Sequence, residues 1–173
     1  LGWLVYILII IGLSYLIITY VGQRTMVSGQ SMEPTLSNGD NLIVDKISYR
    51  FRDPQRYDII VFPYKYEEDT YYIKRIIGMP GETIQVIGGY VYINGQRLEE
   101  EYLDQQGGTI SPDQSSFTVP EGCLFFLGDN RSGSNDARYW EESYIPVGNV
   151  KARVLLAISL TGGSSWQGVR AIG

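Results

Sequence analysis

Histidine is absent from this chain of 173 residues. Its absence excludes every reaction that depends on an imidazole base, the Ser-His-Asp arrangement above all. Cysteine occurs once, at Cys123, so no intrachain disulfide can form, and without histidine the usual zinc ligand sets cannot be assembled. No metal and no cofactor is expected. The surroundings CLFFL mark Cys123 as a small apolar residue buried in a strand. Positive charge is also scarce: 14 Lys+Arg stand against 19 Asp+Glu, for a net charge of −5. With no basic cluster, DNA and RNA are not expected partners.

Charge is missing altogether from residues 1–22, LGWLVYILIIIGLSYLIITYVG. At about 1.5 Å per helical residue that run matches a bilayer core of roughly 30 Å. The expectation is one transmembrane anchor helix over 1–22 and one folded domain over 23–173, a length that suits a single core. A cleaved secretory signal fits less well, because the apolar run is longer than a signal's hydrophobic region and no small-x-small site follows it. Leu1 has no upstream flank, so the charge bias cannot orient the helix, and the natural N-terminus is expected further upstream.

Long helical periodicity is lacking beyond residue 22. Short β-branched and aromatic runs alternate with turn signals instead, which predicts a mainly β fold. Strands are expected at Asn41 to Ile47, Tyr57 to Phe62, Tyr71 to Ile77, Glu82 to Ile87, Tyr90 to Ile93, Ser116 to Val119, Cys123 to Leu127 and Val150 to Leu160. Asn94-Gly95 is a strong hairpin signal, and Gly88-Gly89 marks another turn. Residues 99–114 are polar and Gly-rich and are expected to form a surface excursion. The tail GGSSWQGVRAIG shows no regular pattern.

Ser31 stands in SGQSMEPTL, residues 28–36. It is either a polar turn residue ahead of Pro34 or a nucleophile, and a nucleophile needs a base. The second glycine of a G-x-S-x-G elbow is missing here. A neutral lysine can replace histidine as base if burial or a neighbouring cation lowers its pKa from about 10.4 to near 7. Only four lysines are present. Lys65 lies among Glu67, Glu68 and Asp69, while Lys46 beside Asp45 and Lys151 near Arg153 suit solvated strand ends. Lys74, in YYIKRIIG, is flanked by Tyr72, Ile73, Ile76 and Ile77, and the period of two sends Arg75 to the opposite face. Lys74 is the candidate base; the alternative is a lysine that blunts a sheet edge.

A third stretch, GDNRSGSNDAR at 128–138, follows an apolar strand and reads as a loop. A calcium loop is excluded, since Arg131 and Trp140 would fill the third and twelfth positions. A plain solvated turn is possible. The alternation of Asp129, Arg131, Asp136 and Arg138 also suits a lattice of ion pairs that holds a neighbouring group rigid.

Together SGQSMEPTL, YYIKRIIGMPGE and GDNRSGSNDAR, in this order and behind an uncharged run, resemble the motif set of type I signal peptidases, membrane-anchored serine proteases with a Ser/Lys dyad. The resemblance covers about 140 residues. It implies Ser31 as nucleophile, Lys74 as general base, Ser134 as the residue that hydrogen-bonds and orients Lys74, and Asp136 with Arg138 as the ion pair that keeps the loop in place. Arg75, Gly128, Asp129 and Asn130 match the family pattern around these positions. The backbone N–H of Ser31 would serve the oxyanion; a second side-chain donor is in doubt, because Gly29 stands where some relatives have serine. Met32, Leu36, Tyr72 and Ile73, with Gly29, would line the substrate pockets.

The implied fold is an antiparallel β-sheet domain of the LexA/signal peptidase type with one N-terminal transmembrane helix. The implied substrates are preproteins with signal peptides carrying small residues at −1 and −3, and the implied partner is the lipid bilayer. The implied location is a plasma membrane, bacterial by default, crossed once, with the catalytic domain extracytoplasmic; an organelle membrane is the alternative. A self-cleaving repressor would share the chemistry but needs a DNA-binding domain in place of the anchor. The competing reading is a catalytically inactive, membrane-tethered β module that binds peptides.

Overall fold

The computed structural model describes residues 2–16, 22–63, 70–103, 108–110, 116–161 and 165–171. Helix α1, Gly2–Leu16, has no acidic residue in its first turn and no basic one in its last, and its side chains from Gly2 to Tyr15 are all exposed. Among the described residues no helix is long and apolar enough to cross a membrane. Residues 17–21, which complete the expected anchor, lie outside the described residues.

The other described residues are mainly antiparallel β structure, as the period-two pattern predicts, with two short 3-10 turns at Ser48–Arg50 and Val147–Asn149. The larger sheet contains β1 (Gly22–Met26), β2 (Asn41–Asp45), β3 (Ile59–Pro63), β4 (Tyr71–Gly78), β9 (Cys123–Leu127), β10 (Ile145–Pro146), β11 (Ala152–Thr161) and β12 (Ser165–Ala171). Its order is β1-β2-β11-β3-β4-β9-β10, with β12 paired to β11 off this path. The smaller sheet runs β7 (Gln96–Arg97), β6 (Tyr90–Ile93), β5 (Thr83–Ile87), β8 (Ser116–Thr118). Gly88-Gly89 and Asn94-Gly95 close the hairpins on either side of β6, all four with positive φ, as the two-residue turn that matches strand twist requires.

Several ends differ from the sequence expectation for local reasons. β2 stops at Asp45, because that carboxylate caps the N–H groups of Ile47 and Ser48 and starts a turn. β3 begins at Ile59 rather than Tyr57, whose φ of 73° is incompatible with a strand. The tail is corrected: Ser165–Ala171 forms β12, ordered by its pairing with β11 rather than by any pattern of its own. β1 was also invisible, since GQRTM has no apolar alternation, yet it pairs with all of β2. Cys123 is half-buried at the start of β9 rather than enclosed.

Two cores result. The first packs the larger sheet against the smaller one, with Phe62, Phe125 and Phe126 fully enclosed beside Ile60, Ile76 and Ile84. Each such side chain contributes about 1.5–3 kcal/mol of apolar burial. The second gathers Val27, Met32, Leu36, Leu42, Val44 and Val61 with residues of β11. Between these cores runs β4, with Ile76 in the first and Ile73 against the second.

Candidate active site

The turn that carries Ser31 is held from inside and outside. Gly29, with φ of 104°, reverses the chain after β1, and its N–H donates to Asn38 Oδ1 at 2.9 Å. Glu33 N–H donates to Gln30 O at 3.2 Å and Leu36 N–H to Met32 O at 2.9 Å. Met32 and Leu36 plug into the second core, so the apolar residues of SGQSMEPTL pin the turn while Ser31 stays half-exposed. Among the described residues the Ser31 N–H has no acceptor.

Lys74 meets Ser31 from β4. It pairs in register with Ile60 of β3, is 2% exposed, and its Nζ donates to Ser31 Oγ at 2.7 Å. The ammonium also lies 5.5 Å from the centre of the Tyr72 ring, which packs with Phe62 and Trp140. Burial pulls the lysine pKa down to about 8; Asp136 and Asp129 oppose the shift through space and Arg138 assists it. Lys46 and Lys151 are both exposed, and Lys65 lies outside the described residues.

The 128–138 loop joins these two elements. Asp129 accepts a forked pair of bonds from Arg75, at 2.9 Å from Nε and 2.6 Å from Nη2, and a third from Thr35 Oγ1 at 2.5 Å. Arg75 also donates to Tyr57 O and stacks on Tyr102 at 3.9 Å. Asp136 and Arg138 form a fully buried ion pair at 2.7 Å, and Asp136 Oδ2 accepts from the Gly128 N–H at 2.9 Å. Gly128 has no room for a side chain: a Cβ there would collide with Ser134 Oγ and Ser31 O. Asn130 donates from its backbone to Ser31 O and from its side chain to Gln30 O, each at 3.1 Å.

The ion pairs differ from the expected lattice, because Asp129 and Arg131 find partners outside the loop. Arg131 pairs with Glu100 and donates to Thr109 Oγ1 at 2.7 Å, while Arg138 donates to Ile110 O at 2.7 Å. The 99–114 excursion therefore supports the loop through its described residues 100, 109 and 110; residues 104–107 and 111–115 lie outside the description. Thr35, Glu100 and Thr109 were missed. Only the Thr35 position within SGQSMEPTL carried a signal, whereas Glu100 and Thr109 sit in a stretch whose polarity reads as solvent-facing.

Two expectations are corrected. Among the described residues Ser134 Oγ is buried and finds no hydrogen-bond partner, so the expected bond to Lys74 is not formed; the hydroxyl packs against Gly128 instead, and Lys74 is engaged by Ser31. Leu36 has no exposed surface and Met32 only 2%, because both anchor the turn in the second core. Tyr72 and Ile73 remain half-exposed next to Lys74, and Gly29 is exposed.

Chemically, this arrangement sets a half-exposed hydroxyl against a buried amine whose pKa burial has lowered to about 8, beside an unengaged N–H. Those are the parts that acyl transfer by a serine requires.

Known proteins resemble this chain over most of its length. Residues 1–158 match the family model described as signal peptidase, peptidase S26. Signal peptidase I of Leptolyngbya laminosa is 43% identical over 149 residues, covering 80% of this chain and 69% of that protein. Probable signal peptidase I-1 of Synechocystis sp. is 38% identical over 153 residues, covering 83% and 74%. A crystal structure of a signal peptidase I from Enterococcus faecalis V583 aligns with a TM-score of 0.49 at 36% identity, covering 59% of this chain and 97% of that one.

Proposed function

The chain belongs to the signal peptidase family, peptidase S26, and from that premise we propose that it removes signal peptides by a Ser31/Lys74 dyad. Its relatives are signal peptidases I, so the chain is a serine endopeptidase of that type. The contact that carries the dyad is the 2.7 Å hydrogen bond between Lys74 Nζ and Ser31 Oγ, at a lysine whose pKa burial has lowered to about 8.

Neutral Lys74 takes the Ser31 proton as Oγ attacks the scissile carbonyl carbon. Charge moves onto the carbonyl oxygen, where a backbone donor is worth about 3–4 kcal/mol; the free N–H of Ser31 is the donor in this site. Collapse of the tetrahedral species expels the amine of the mature chain, which takes the proton from Lys74. Lys74 then removes a proton from water, whose oxygen attacks the acyl-enzyme and releases the signal peptide with Ser31 restored. Asp129 with Arg75, and Asp136 with Arg138, keep the dyad in register without touching it.

The substrate's small residues at −1 and −3 would meet Tyr72, Ile73 and Gly29, the expected pocket residues that retain exposed surface. A single-pass anchor over residues 1–22 is supported by the absence of charge and by the exposed apolar side chains of α1. Only eight residues separate Gly22 from Ser31, at most about 30 Å of extended chain, so the dyad would act close to a bilayer surface. That setting suits an extracytoplasmic domain over 23–173 on a bacterial plasma membrane.

The test is cleavage of a purified preprotein with an Ala-x-Ala site by the detergent-solubilised protein, with Ser31→Ala in parallel. Cleavage after the second alanine, abolished in the variant, is expected. Full activity of Ser31→Ala would end the proposal.

A further inference from the structure

Asn130 grips the nucleophile turn at two successive carbonyls. Its backbone N–H donates to Ser31 O at 3.1 Å and its Nδ2 to Gln30 O at 3.1 Å, while its Oδ1 accepts from the Gly133 N–H at 3.0 Å. The peptide joining Gln30 and Ser31 is a rigid plane in which C=O and N–H point in opposite directions. Tethering Gln30 O to the 128–138 loop therefore turns the Ser31 N–H away from that loop. Gln30 O also accepts from the Glu33 N–H at 3.2 Å, but that donor belongs to the same turn and moves with it. Of these two bonds to Gln30 O, only the one from Asn130 fixes the plane to another part of the fold.

We propose that Asn130 is a positioning residue for the oxyanion: its side-chain amide holds the Gln30–Ser31 peptide so that the Ser31 N–H faces the substrate carbonyl oxygen as it becomes negative. The inference rests on Ser31 being the nucleophile. Its weight comes from how little else is available. Position 29 is glycine and offers no hydroxyl, and the Gly29 N–H is already given to Asn38. A donor aimed before the reaction needs no reorganisation as charge develops, so the orientation of this one peptide matters more here than where a side chain shares the task. An asparagine suits the position because it must donate to Gln30 O and accept from Gly133 at once. An aspartate of the same shape keeps only the second bond.

Two variants test this: Asn130→Asp, which removes the donor while preserving shape, and Asn130→Ala, which removes it without adding charge. Both are assayed for preprotein cleavage, for binding of a peptide aldehyde and of the matching unreactive peptide amide, and for thermal unfolding. In the aldehyde adduct Ser31 Oγ bonds to the carbonyl carbon, the Ser31 proton passes to Lys74, and the former carbonyl oxygen carries the charge that the N–H should meet. Expected is a tenfold to hundredfold fall in kcat in both variants with KM within twofold. The aldehyde should weaken by a similar factor, the amide should not, and the pH midpoint of kcat/KM and the unfolding temperature of Asn130→Ala, which adds no charge, should stay at wild-type values. Wild-type kcat in either folded variant, or equal weakening of aldehyde and amide, would overturn the inference. If Ser31→Ala is inactive while the Asn130 variants are fully active, this inference alone fails; if Ser31→Ala is active, the dyad fails with it.

Discussion

Two cations stand side by side on β4, and the fold treats them in opposite ways. Arg75 is neutralised by a forked bond to Asp129 and covered by the Tyr102 ring. Lys74 is as deeply buried, yet among the described residues it forms no ion pair, and its hydrogen bond goes to the Ser31 hydroxyl. The carboxylates that would keep it charged, Asp136 and Asp129, act on it only through space, because Arg138 and Arg75 already bind them. Burial therefore prevails at Lys74, whereas Arg75 has a carboxylate bound directly to it. A guanidinium also holds its proton far more firmly than an amine. The 128–138 loop thus confines charge to pairs around the lysine proposed as base.

The comparison breaks most completely if Lys74 becomes arginine. Lys74→Arg keeps a cation and removes the proposed base, so cleavage should fall by about 10²–10⁴-fold and should not recover up to pH 10, as measured on a preprotein in detergent. Next comes the lattice. Asp136→Asn leaves Arg138 buried and unpaired, which should cost about 3–5 kcal/mol, read from urea unfolding, with activity lost in parallel.

The pH dependence sharpens the contrast. With Lys74 as the proposed base its active form is neutral, so kcat/KM should rise with pH and level off above about 8, as a pH-rate profile would show. Stability follows the same group. Below pH 8 folded and unfolded chains both carry the proton, and the folded state bears the full cost of a buried ammonium. Between about 8 and 10.5 only the unfolded chain holds it, so stability rises with pH, and above 10.5 the cost is gone. That interval corresponds to roughly 3 kcal/mol, so Lys74→Met should stabilise the inactive protein by up to that amount at pH 7 and hardly at all at pH 11.

Smaller effects probe the packing between loop and turn. Gly128→Ala must displace Ser134 or the Ser31 carbonyl, at about 1–3 kcal/mol, with kcat reduced more than KM in a steady-state assay. Ser134→Ala should change stability by less than about 1 kcal/mol, since deleting a buried hydroxyl that lacks a partner removes no hydrogen bond. Thermal unfolding decides this, and a larger loss would show that Ser134 bonds a neighbour in solution.

Composition and pattern alone determined much of this protein. The missing histidine left lysine as the available base, apolar neighbours singled out Lys74 among four, and alternation with Asn-Gly and Gly-Gly turns announced antiparallel strands, because these properties depend on residues near one another in the chain. Tertiary structure decided what depends on distant partners. β1 and β12 carry no pattern of their own and exist through β2 and β11. Met32 and Leu36 went to the core because the second sheet face needed filling. Ser31 meets Lys74 across 43 positions, and Arg131 finds Glu100 across 31. Even the lysine pKa was beyond local reading: desolvation is set by everything that excludes water from a group, and the packing of β3, the Tyr72 ring and the 128–138 loop around Lys74 forms only when the chain has folded.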